Sequence, residues 1–214
     1  MPLSMRKREL VTAARPKSAA SEAYRSLRTN LDVPIRSGGL QTILLTSALP
    51  GEGKSVTSAN VAVAYAQANR SVLLIDANMR TPAQHRIFGL PNHSGLSTVL
   101  EGLCELDEAV RTTSVGNLKV VCSGPVPPNP SELLDSPAMT SLLQAAKESF
   151  DVVIVDAPAI KPVADALVLA GKCDGVVLVL RAGRVKREAA LKAKASLAYG
   201  NANILGAVLN HAGG

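Results

Sequence analysis

The sequence predicts an α/β protein with a doubly wound, mainly parallel sheet, and three observations support this prediction. From Thr42 onward, strand-like apolar runs alternate with helix-like segments, an order that requires right-handed crossovers between parallel strands. Hydrophobic residues make up 47% of the 214 residues but aromatic residues only 2%. A core of Val, Leu, Ile and Ala suits strands that are buried on both faces. A phosphate-loop motif joins the first predicted strand to the helix that follows it.

The predicted elements alternate along most of the chain. The predicted strands are Thr42–Thr46, Val72–Asp76, Leu118–Cys122, Val152–Asp156, Gly175–Leu180 and Ile204–Leu209. The predicted helices are Lys54–Ala68, Ser97–Glu101, Leu106–Arg111, Met139–Ser149, Ala164–Gly171 and Lys186–Tyr199. In a sheet of this type the ligand lies beyond the carboxyl ends of the strands. Ligand-binding and catalytic residues are therefore expected directly after the strands.

The N-terminal region has two predicted parts. Residues 1–18 are basic, interrupted by proline and without periodicity, and they predict a flexible arm. Residues 19–214 predict a single domain, which opens with a helix over residues 19–32. On this helix Glu22, Arg25 and Arg28 share one stripe that a single helix does not need. The stripe is either an interface with another subunit or a set of surface ion pairs.

The phosphate loop is the motif with the clearest chemistry. Residues 48–55 match G-x-x-x-x-G-K-[ST], with alanine in place of the first glycine. Its glycines let successive N–H groups face one anion, its lysine can reach the β- and γ-phosphates, and its serine hydroxyl can ligate Mg²⁺. The motif predicts binding of a nucleoside triphosphate. The residues expected to contact it are Pro50, Gly51, Glu52, Gly53, Lys54, Ser55 and Val56.

Polar residues follow several of the predicted strands. Asp76 and Asp156 end the second and fourth strands, at the edge of the sheet that carries Lys54. A buried ionised carboxylate needs a partner, which Mg²⁺ would supply, although each aspartate could instead cap the next helix. Arg80 follows the second strand, and Asn210 ends the last one, where its amide either reads the base or only terminates the strand.

The net charge of +6 lies mainly near the two ends of the chain. Residues 1–36 carry a net +5, and residues 181–198 carry another +5. Such charge can meet a membrane, a nucleic acid or an acidic partner, but the scarcity of aromatic residues argues against nucleic acid. For residues 181–198 we favour solvated charge on a helix face. No secretory signal and no CxxC pair is visible, so we expect a cytoplasmic protein.

The chain resembles the bacterial tyrosine kinases (BY-kinases) of the CpsD/CapB type, which are P-loop kinases of capsule and exopolysaccharide export related to the MinD/ParA ATPases. The resemblance covers residues 18–210. It rests on the segments SEAYRSLRTNL, SALPGEGKS, VLLIDANMRTP, GLSTVLEG, GPVPPNPSELL, DVVIVDAP and the final VLN. It implies an ATP- and Mg²⁺-dependent protein-tyrosine kinase that regulates capsular or exopolysaccharide biosynthesis and acts on a tyrosine of a protein substrate.

The resemblance also implies roles and partners. Lys54 and Ser55 match the Walker A lysine and magnesium ligand. Asp76 matches the first aspartate of Walker A′, thought to help activate the tyrosine hydroxyl, and Asp156 matches the Walker B aspartate of the magnesium shell. The implied catalytic residues are Lys54, Asp76 and Asp156, and the implied metal ligands are Ser55, Asp76 and Asp156. Arg80 and Asn210 join the implied nucleotide site.

The stripe of Glu22, Arg25 and Arg28 matches the E-x-x-R-x-x-R motif of the family, which packs one subunit against the next in a homo-oligomeric ring. The family also implies a separate membrane co-polymerase that activates the kinase and recruits it to the inner face of the plasma membrane. Membrane contact would occur only through that partner, and no nucleic acid is implied.

Two departures from the family pattern bear on activity. Asn78 stands where the family usually has a second aspartate, and an amide brings neither charge nor a base. No tyrosine cluster follows the last strand, and Tyr24, Tyr65 and Tyr199 are expected to be packing residues. These departures favour an alternative, a non-kinase P-loop ATPase switch that controls assembly with the membrane partner. A MinD/ParA-type positioning ATPase is a third reading, weakened because Leu49 stands near the place of its extra lysine.

Overall fold

A seven-stranded sheet forms the centre of the structure, a computed structural model that describes residues 10–36 and 40–212. Across the sheet the strand order is β3-β4-β2-β5-β1-β6-β7, and every neighbouring pair is parallel except β3 with β4. The strands are β1 (Thr42–Ser47), β2 (Val72–Asp76), β3 (Val110–Thr112), β4 (Leu118–Val121), β5 (Val152–Asp156), β6 (Gly175–Arg181) and β7 (Ile204–Asn210).

Helices cover both faces of this sheet. In the described ranges they are α1 (Val11–Ala14), α2 (Ala19–Arg36), α3 (Lys54–Ala66), α4 (Gln84–Phe88), α5 (Leu96–Leu100), α6 (Leu106–Ala109), α7 (Pro130–Asp135), α8 (Pro137–Ser149), α9 (Asp165–Ala170) and α10 (Arg187–Tyr199). Within the same ranges, no helix combines the length and the apolarity that crossing a bilayer requires.

Successive side chains of a strand point to opposite faces, and this alternation builds two separate cores. Ile43 and Leu45 of β1 pack on one face with α3, while Leu44 packs on the other with the helices that follow β4 and β5. All residues of β1, β2 and β5 are buried, as expected for strands covered on both sides. The prediction of a doubly wound, mainly parallel α/β sheet is confirmed.

The register of the central strands sets the position of the two predicted aspartates. β5 lies between β1 and β2, and Asp76 is the cross-strand partner of Asp156. On the other side of β5, Asp156 pairs with Leu45, shortly before the phosphate loop. The carboxyl ends of all three strands therefore meet at one edge of the sheet, where the chemistry was expected.

The prediction of a flexible arm is wrong for residues 10–18. Val11–Ala14 form α1, in which the Thr12 side chain is fully buried. The N–H group of Thr12 donates to Asn60 Oδ1 on α3 at 2.9 Å, and Gln67 Nε2 donates to the carbonyl of Thr12 at 3.2 Å. These bonds and the buried apolar contacts hold the segment against α3. Residues 1–9 of the predicted arm lie outside the described residues.

Two further differences arise from contacts that local sequence does not encode. The predicted helix Leu106–Arg111 ends at Ala109, because Val110–Thr112 pair with β4 as the antiparallel strand β3. The helix predicted over residues 19–32 continues to Arg36, and the Ser18 side chain caps its start by accepting the N–H of Ser21. Ser21 is buried and donates its hydroxyl to the carbonyl of Val11, which ties α2 to α1.

Candidate active site

The phosphate loop lies between the end of β1 and the first residue of α3, Lys54. Gly51 and Gly53 have φ angles of 81° and 89°, in the left-handed region that glycine adopts without strain. A Cβ atom on Gly53 would also lie 2.6 Å from Nδ2 of Asn210. Successive N–H groups of the loop and the N-terminus of α3 together provide an anion site.

Glu52 and Asn210 fasten the loop to the sheet. The buried carboxylate of Glu52 accepts the N–H of Leu49 at 2.8 Å and the N–H of Arg181, on β6, at 3.2 Å. Asn210 Nδ2 donates to the carbonyl of Glu52 and to Thr57 Oγ1, both at 3.0 Å. Both residues were predicted to contact the nucleotide, but in the structure their side chains hold the loop in shape.

The structure brings Lys54, Ser55 and Asp156 together. Lys54 Nζ lies 4.0 Å from Asp156 Oδ1 and 3.3 Å from Ser55 Oγ. Asp156 is fully buried, and Ser58 Oγ donates to its Oδ1 at 3.4 Å. The lysine that the P-loop pattern assigns to the phosphates thus lies beside a buried carboxylate.

Asp76 occupies the neighbouring position and is held by backbone donors. Its Oδ2 accepts the N–H groups of Ala83 and Gln84, both at 2.9 Å, and its Oδ1 accepts the N–H of Asn78 at 3.2 Å. Asp76 therefore caps the short helix α4, the alternative that the sequence left open. Burial and the nearby charge of Asp156 raise the pKa of Asp76 to about 7, against the lowering effect of the two N–H donors and Lys54.

The donor set fits Mg²⁺. Two fully buried carboxylates lie close to one ammonium group, that of Lys54, which pairs with Asp156. In the part of the chain that the structure describes, no cluster of three or more His, Cys, Asp or Glu residues could hold an ion alone. Mg²⁺ prefers one or two carboxylates together with substrate phosphates, and Ser55, Asp76 and Asp156 are the residues that would complete such a site.

Gln84 is the residue of this site that sequence reasoning missed. Its side chain is fully buried, and Nε2 donates to Asp156 Oδ2 at 2.7 Å and to the carbonyl of Ser55 at 3.0 Å. Its Oε1 is a buried acceptor without a hydrogen-bond partner in the structure. One amide thus joins the phosphate loop to β5, while its own N–H holds Asp76. No local sequence motif predicts this role, because Asp156 and Ser55, the hydrogen-bond partners of the Gln84 amide, are distant in sequence.

Arg80, which was predicted to join the nucleotide site, is paired with Asp165 in the structure. Its guanidinium donates to both carboxylate oxygens of Asp165, at 2.9 and 3.2 Å, and to Ser131 Oγ at 3.1 Å. Burial alone would raise the pKa of Asp165, but hydrogen bonds from Arg80 and Ser131 outweigh it and keep that pKa below its usual value. The network joins the turn after β2 to α7 and α9.

Asn78 shapes that same turn. Its Nδ2 donates to the carbonyl of Thr81 at 3.0 Å and to Thr81 Oγ1 at 3.1 Å. An aspartate at this position would lack both donors. The amide is therefore used within the turn and leaves Asp76 as the carboxylate from this segment at the site.

The stripe on α2 divides into an exposed and a packed part. Arg25 Nε pairs with Glu22 Oε2 at 2.9 Å, and 67% of the Glu22 side chain is exposed. Arg28 is more buried: its Nη1 donates to the carbonyl of Ala64 on α3 at 3.4 Å, and its Nε lies 3.9 Å from Asp32 Oδ2. Glu22 and Arg25 are thus the accessible members of the predicted interface.

Comparison with known proteins establishes the family. A family model described as an AAA domain matches residues 40–183. The chain is 44% identical over 207 residues to tyrosine-protein kinase YwqD of Bacillus subtilis, covering 97% of this chain and 87% of that protein. The chain belongs to the family of bacterial tyrosine-protein kinases. The family that the sequence motifs indicated is therefore confirmed.

Solved structures agree with this assignment. The kinase domain of Escherichia coli tyrosine kinase ETK superposes with a TM-score of 0.90 at 34% identity, covering 96% of this chain and 82% of that one. The cell division ATPase MinD of Pyrococcus furiosus superposes with a TM-score of 0.71 at 25% identity, covering 81% and 73%. The predicted relation to MinD-type folds is confirmed, and the fold is that of a nucleotide-binding protein.

The three tyrosines differ in exposure. Tyr65 is fully buried under α2, and Tyr24 is partly buried; burial raises the pKa of both hydroxyl groups. Tyr199, the last residue of α10, is 95% exposed. The expectation that all three are packing residues is wrong for Tyr199, because the last turn of α10 extends past the core that Leu197 contacts.

We expect the ligand-free protein to lose stability as the pH rises towards 7 because of Asp76. The unfolded carboxyl group ionises near 3.8, whereas in the folded protein its pKa is about 7. Between these values the folded state binds more protons than the unfolded state, so stability falls as the pH increases. Thermal melts from about pH 5 to about pH 8.5 should show wild type losing at least about 3 °C relative to Asp76→Asn.

Asp107→Asn is the matched control, since Asp107 is an exposed aspartate far along the chain in α6. Its melting curve should follow wild type at every pH. Equal pH dependence of wild type and Asp76→Asn would show that the Asp76 carboxyl group is ionised throughout this range.

We also expect Gln84 to be required for magnesium-linked nucleotide affinity. Gln84→Met keeps the buried volume but removes the N–H donors to Asp156 and Ser55, so the affinity for ADP should fall about tenfold with Mg²⁺ and much less in EDTA. Titration of a fluorescent ADP analogue measures both. Gln67→Met makes the same substitution at an exposed residue just after α3, removes its amide bond to the carbonyl of Thr12, and should leave both affinities unchanged. Equal loss with and without Mg²⁺ would mean that Gln84 only supports the loop.

Proposed function

We propose that the protein is an ATP- and Mg²⁺-dependent kinase that transfers the γ-phosphoryl group of ATP to a tyrosine hydroxyl of another protein. The observation that carries the proposal is the meeting of Lys54, Ser55, Asp76 and Asp156 at one edge of the sheet, within a chain of the tyrosine-kinase family. Bound Mg²⁺ would neutralise charge on the β- and γ-phosphates.

The residues divide the work of the transfer. The N–H groups of the phosphate loop and Lys54 hold the phosphates, and the buried position of the site strengthens each of these interactions. The tyrosine oxygen forms a bond to the γ-phosphorus as the bond to the bridging oxygen breaks and ADP leaves. The hydroxyl proton passes to Asp76, the carboxylate that lies beside Asp156 at the end of β2.

We further propose that the kinase works in a homo-oligomeric ring and serves capsular or exopolysaccharide export. A separate membrane co-polymerase would activate it and recruit it from the cytoplasm to the inner face of the plasma membrane. The support is the family resemblance, together with the exposed Glu22–Arg25 pair, which borders a shallow groove along α2.

Phosphotyrosine formation tests the central proposal. With Mg·ATP and a tyrosine-containing acceptor peptide, wild type should produce phosphotyrosine, and Lys54→Met should reduce the rate at least about a hundredfold because the charge on the transferring phosphate loses its cation. Lys119→Met, which changes an exposed lysine of β4, should keep the wild-type rate. Both variants are built on Tyr199→Phe, which removes the exposed tyrosine of the chain itself.

The same assay separates the kinase from its alternative. Steady release of inorganic phosphate without phosphotyrosine, with and without the cytoplasmic tail of a co-polymerase, would contradict kinase activity and support an ATPase switch. No turnover and no nucleotide binding would contradict both.

The ring is tested on the two accessible residues of the stripe. Glu22→Ala combined with Arg25→Ala should convert oligomers to monomers in light scattering and leave nucleotide affinity within about twofold, because the two side chains pair with each other on α2, outside the phosphate loop. Arg28 is left intact, since its bond to Ala64 supports the packing of α2 on α3. Lys17→Ala is the control for charge, and an unchanged oligomer in the double variant would refute the interface.

A further inference from the structure

A cavity of about 190 Å³ lies beside the phosphate loop. Three segments form it: Ala48 and Leu49 at the start of the loop, Ile160 after β5, and a face of α10 that includes Ala189 and Ala193. The cavity thus shares residues with the phosphate loop itself. Neither the predicted nucleotide contacts nor the predicted magnesium ligands belong to it.

The walls of this cavity are fixed to the base of the loop. The N–H of Ile160 donates to the carbonyl of Ser47 at 2.9 Å, and Ser47 Oγ donates to the carbonyl of Leu49 at 2.8 Å. The N–H of Leu49 is in turn held by the Glu52 carboxylate at 2.8 Å. The apolar floor is therefore positioned by the same bonds that shape the loop, and it has a defined place relative to the phosphates.

Lysine side chains dominate the rim. Lys161, Lys186 and Lys192 line the cavity with one acidic residue, Glu188, so the rim carries an excess of positive charge. All three lysines are exposed, and none has an ion-pair partner within the described residues. Two of them belong to the basic stretch 181–198, which the sequence alone favoured as solvated charge. The structure places this part of it at the loop.

The size and chemistry of the cavity fit an aromatic ring on an acidic peptide. An apolar cavity of about 150 Å³ is known to hold benzene, so about 190 Å³ accommodates one phenol ring. An aliphatic floor suits the ring, and an unpaired basic rim suits carboxylates on either side of it. The phosphates of the nucleotide already have Lys54 and the loop amides, and do not account for three further lysines.

We propose that this cavity receives the acceptor tyrosine of the protein substrate, and that Lys161, Lys186 and Lys192 select acceptors whose flanking residues are acidic. The inference rests on the proposed kinase function and names the substrate class for it. A ring seated on Ala189 and Ala193 lies next to Ala48 and Leu49, which brings its hydroxyl to the start of the phosphate loop.

Charge reversal tests the rim. Lys186→Glu with Lys192→Glu should raise KM about tenfold for a peptide with glutamates around its tyrosine, because attraction becomes repulsion. KM for a matched peptide with glutamines, and KM for ATP, should stay within about twofold. Arg187→Glu with Lys194→Glu changes the same charge on α10 outside the cavity lining and should leave every constant near wild type. Equal effects of the two double variants would overturn the proposal.

Substitutions that fill the cavity test whether the tyrosine ring of the acceptor binds there. Ala189→Leu should lower kcat/KM about tenfold for both peptides while leaving KM for ATP unchanged, whereas Ala190→Leu, the next residue of the helix, should have little effect. A rise in KM for ATP alone would assign the cavity to the nucleotide base. A change of mass in light scattering for the rim variant would assign it to a second copy. Each result overturns the proposal.

Direct binding separates this inference from the kinase function. Fluorescence anisotropy of the labelled acidic peptide, measured with Mg·ADP, should show weaker binding to the rim variant than to the control variant by about the same factor as KM. If wild type phosphorylates no peptide but anisotropy shows this pattern, the kinase proposal fails and the acidic-peptide site stands. If wild type phosphorylates both peptides equally and the rim variant does too, the kinase stands and the site fails.

Discussion

The structure depends on the burial of two carboxylates side by side. Asp76 and Asp156 end adjacent strands in register, both fully buried, with one lysine ammonium group between loop and sheet to balance them. Such a pair is costly in a medium of low polarity unless donors and cations surround it. The neighbouring elements supply donors: Gln84 and Ser58 to Asp156, and the N–H groups at the start of α4 to Asp76. A divalent cation bound at this edge of the sheet would offset the remaining negative charge.

Several polar residues near the site are likewise engaged in hydrogen bonds within the protein. Glu52 and Asn210 hold the phosphate loop from the side of β6 and β7, and Arg80 is engaged with Asp165. A loop that wraps an anion needs its N–H groups fixed before the anion arrives, because ordering them on binding would cost entropy. In the structure the side chains of Glu52, Asn210 and Arg80 make bonds within the protein, and those of Glu52 and Asn210 hold the backbone of the phosphate loop in place.

Much of this could be read from the sequence, because the strand–loop–helix rhythm and the strand-end rule are both local. They predicted the sheet and the positions of Lys54, Ser55, Asp76 and Asp156. Gln84 was not predictable, since its amide acts on Asp156 across 72 positions of sequence, and nothing in its neighbourhood marks it as buried. The packing of α1 was missed for the same reason: its partners, Asn60 and Gln67, lie on a later helix.

The way Asp76 holds α4 has a consequence for dynamics. The backbone N–H groups of Ala83 and Gln84 share one carboxylate oxygen, so a single atom accepts both backbone bonds at the start of this five-residue helix. A cation bound to that oxygen would draw on the same lone pairs as the two N–H groups and so weaken both bonds at once. Amide hydrogen exchange at these two positions would then follow the occupancy of the site by a cation, with the Gln84 side chain still holding the helix to Asp156 and to the carbonyl of Ser55.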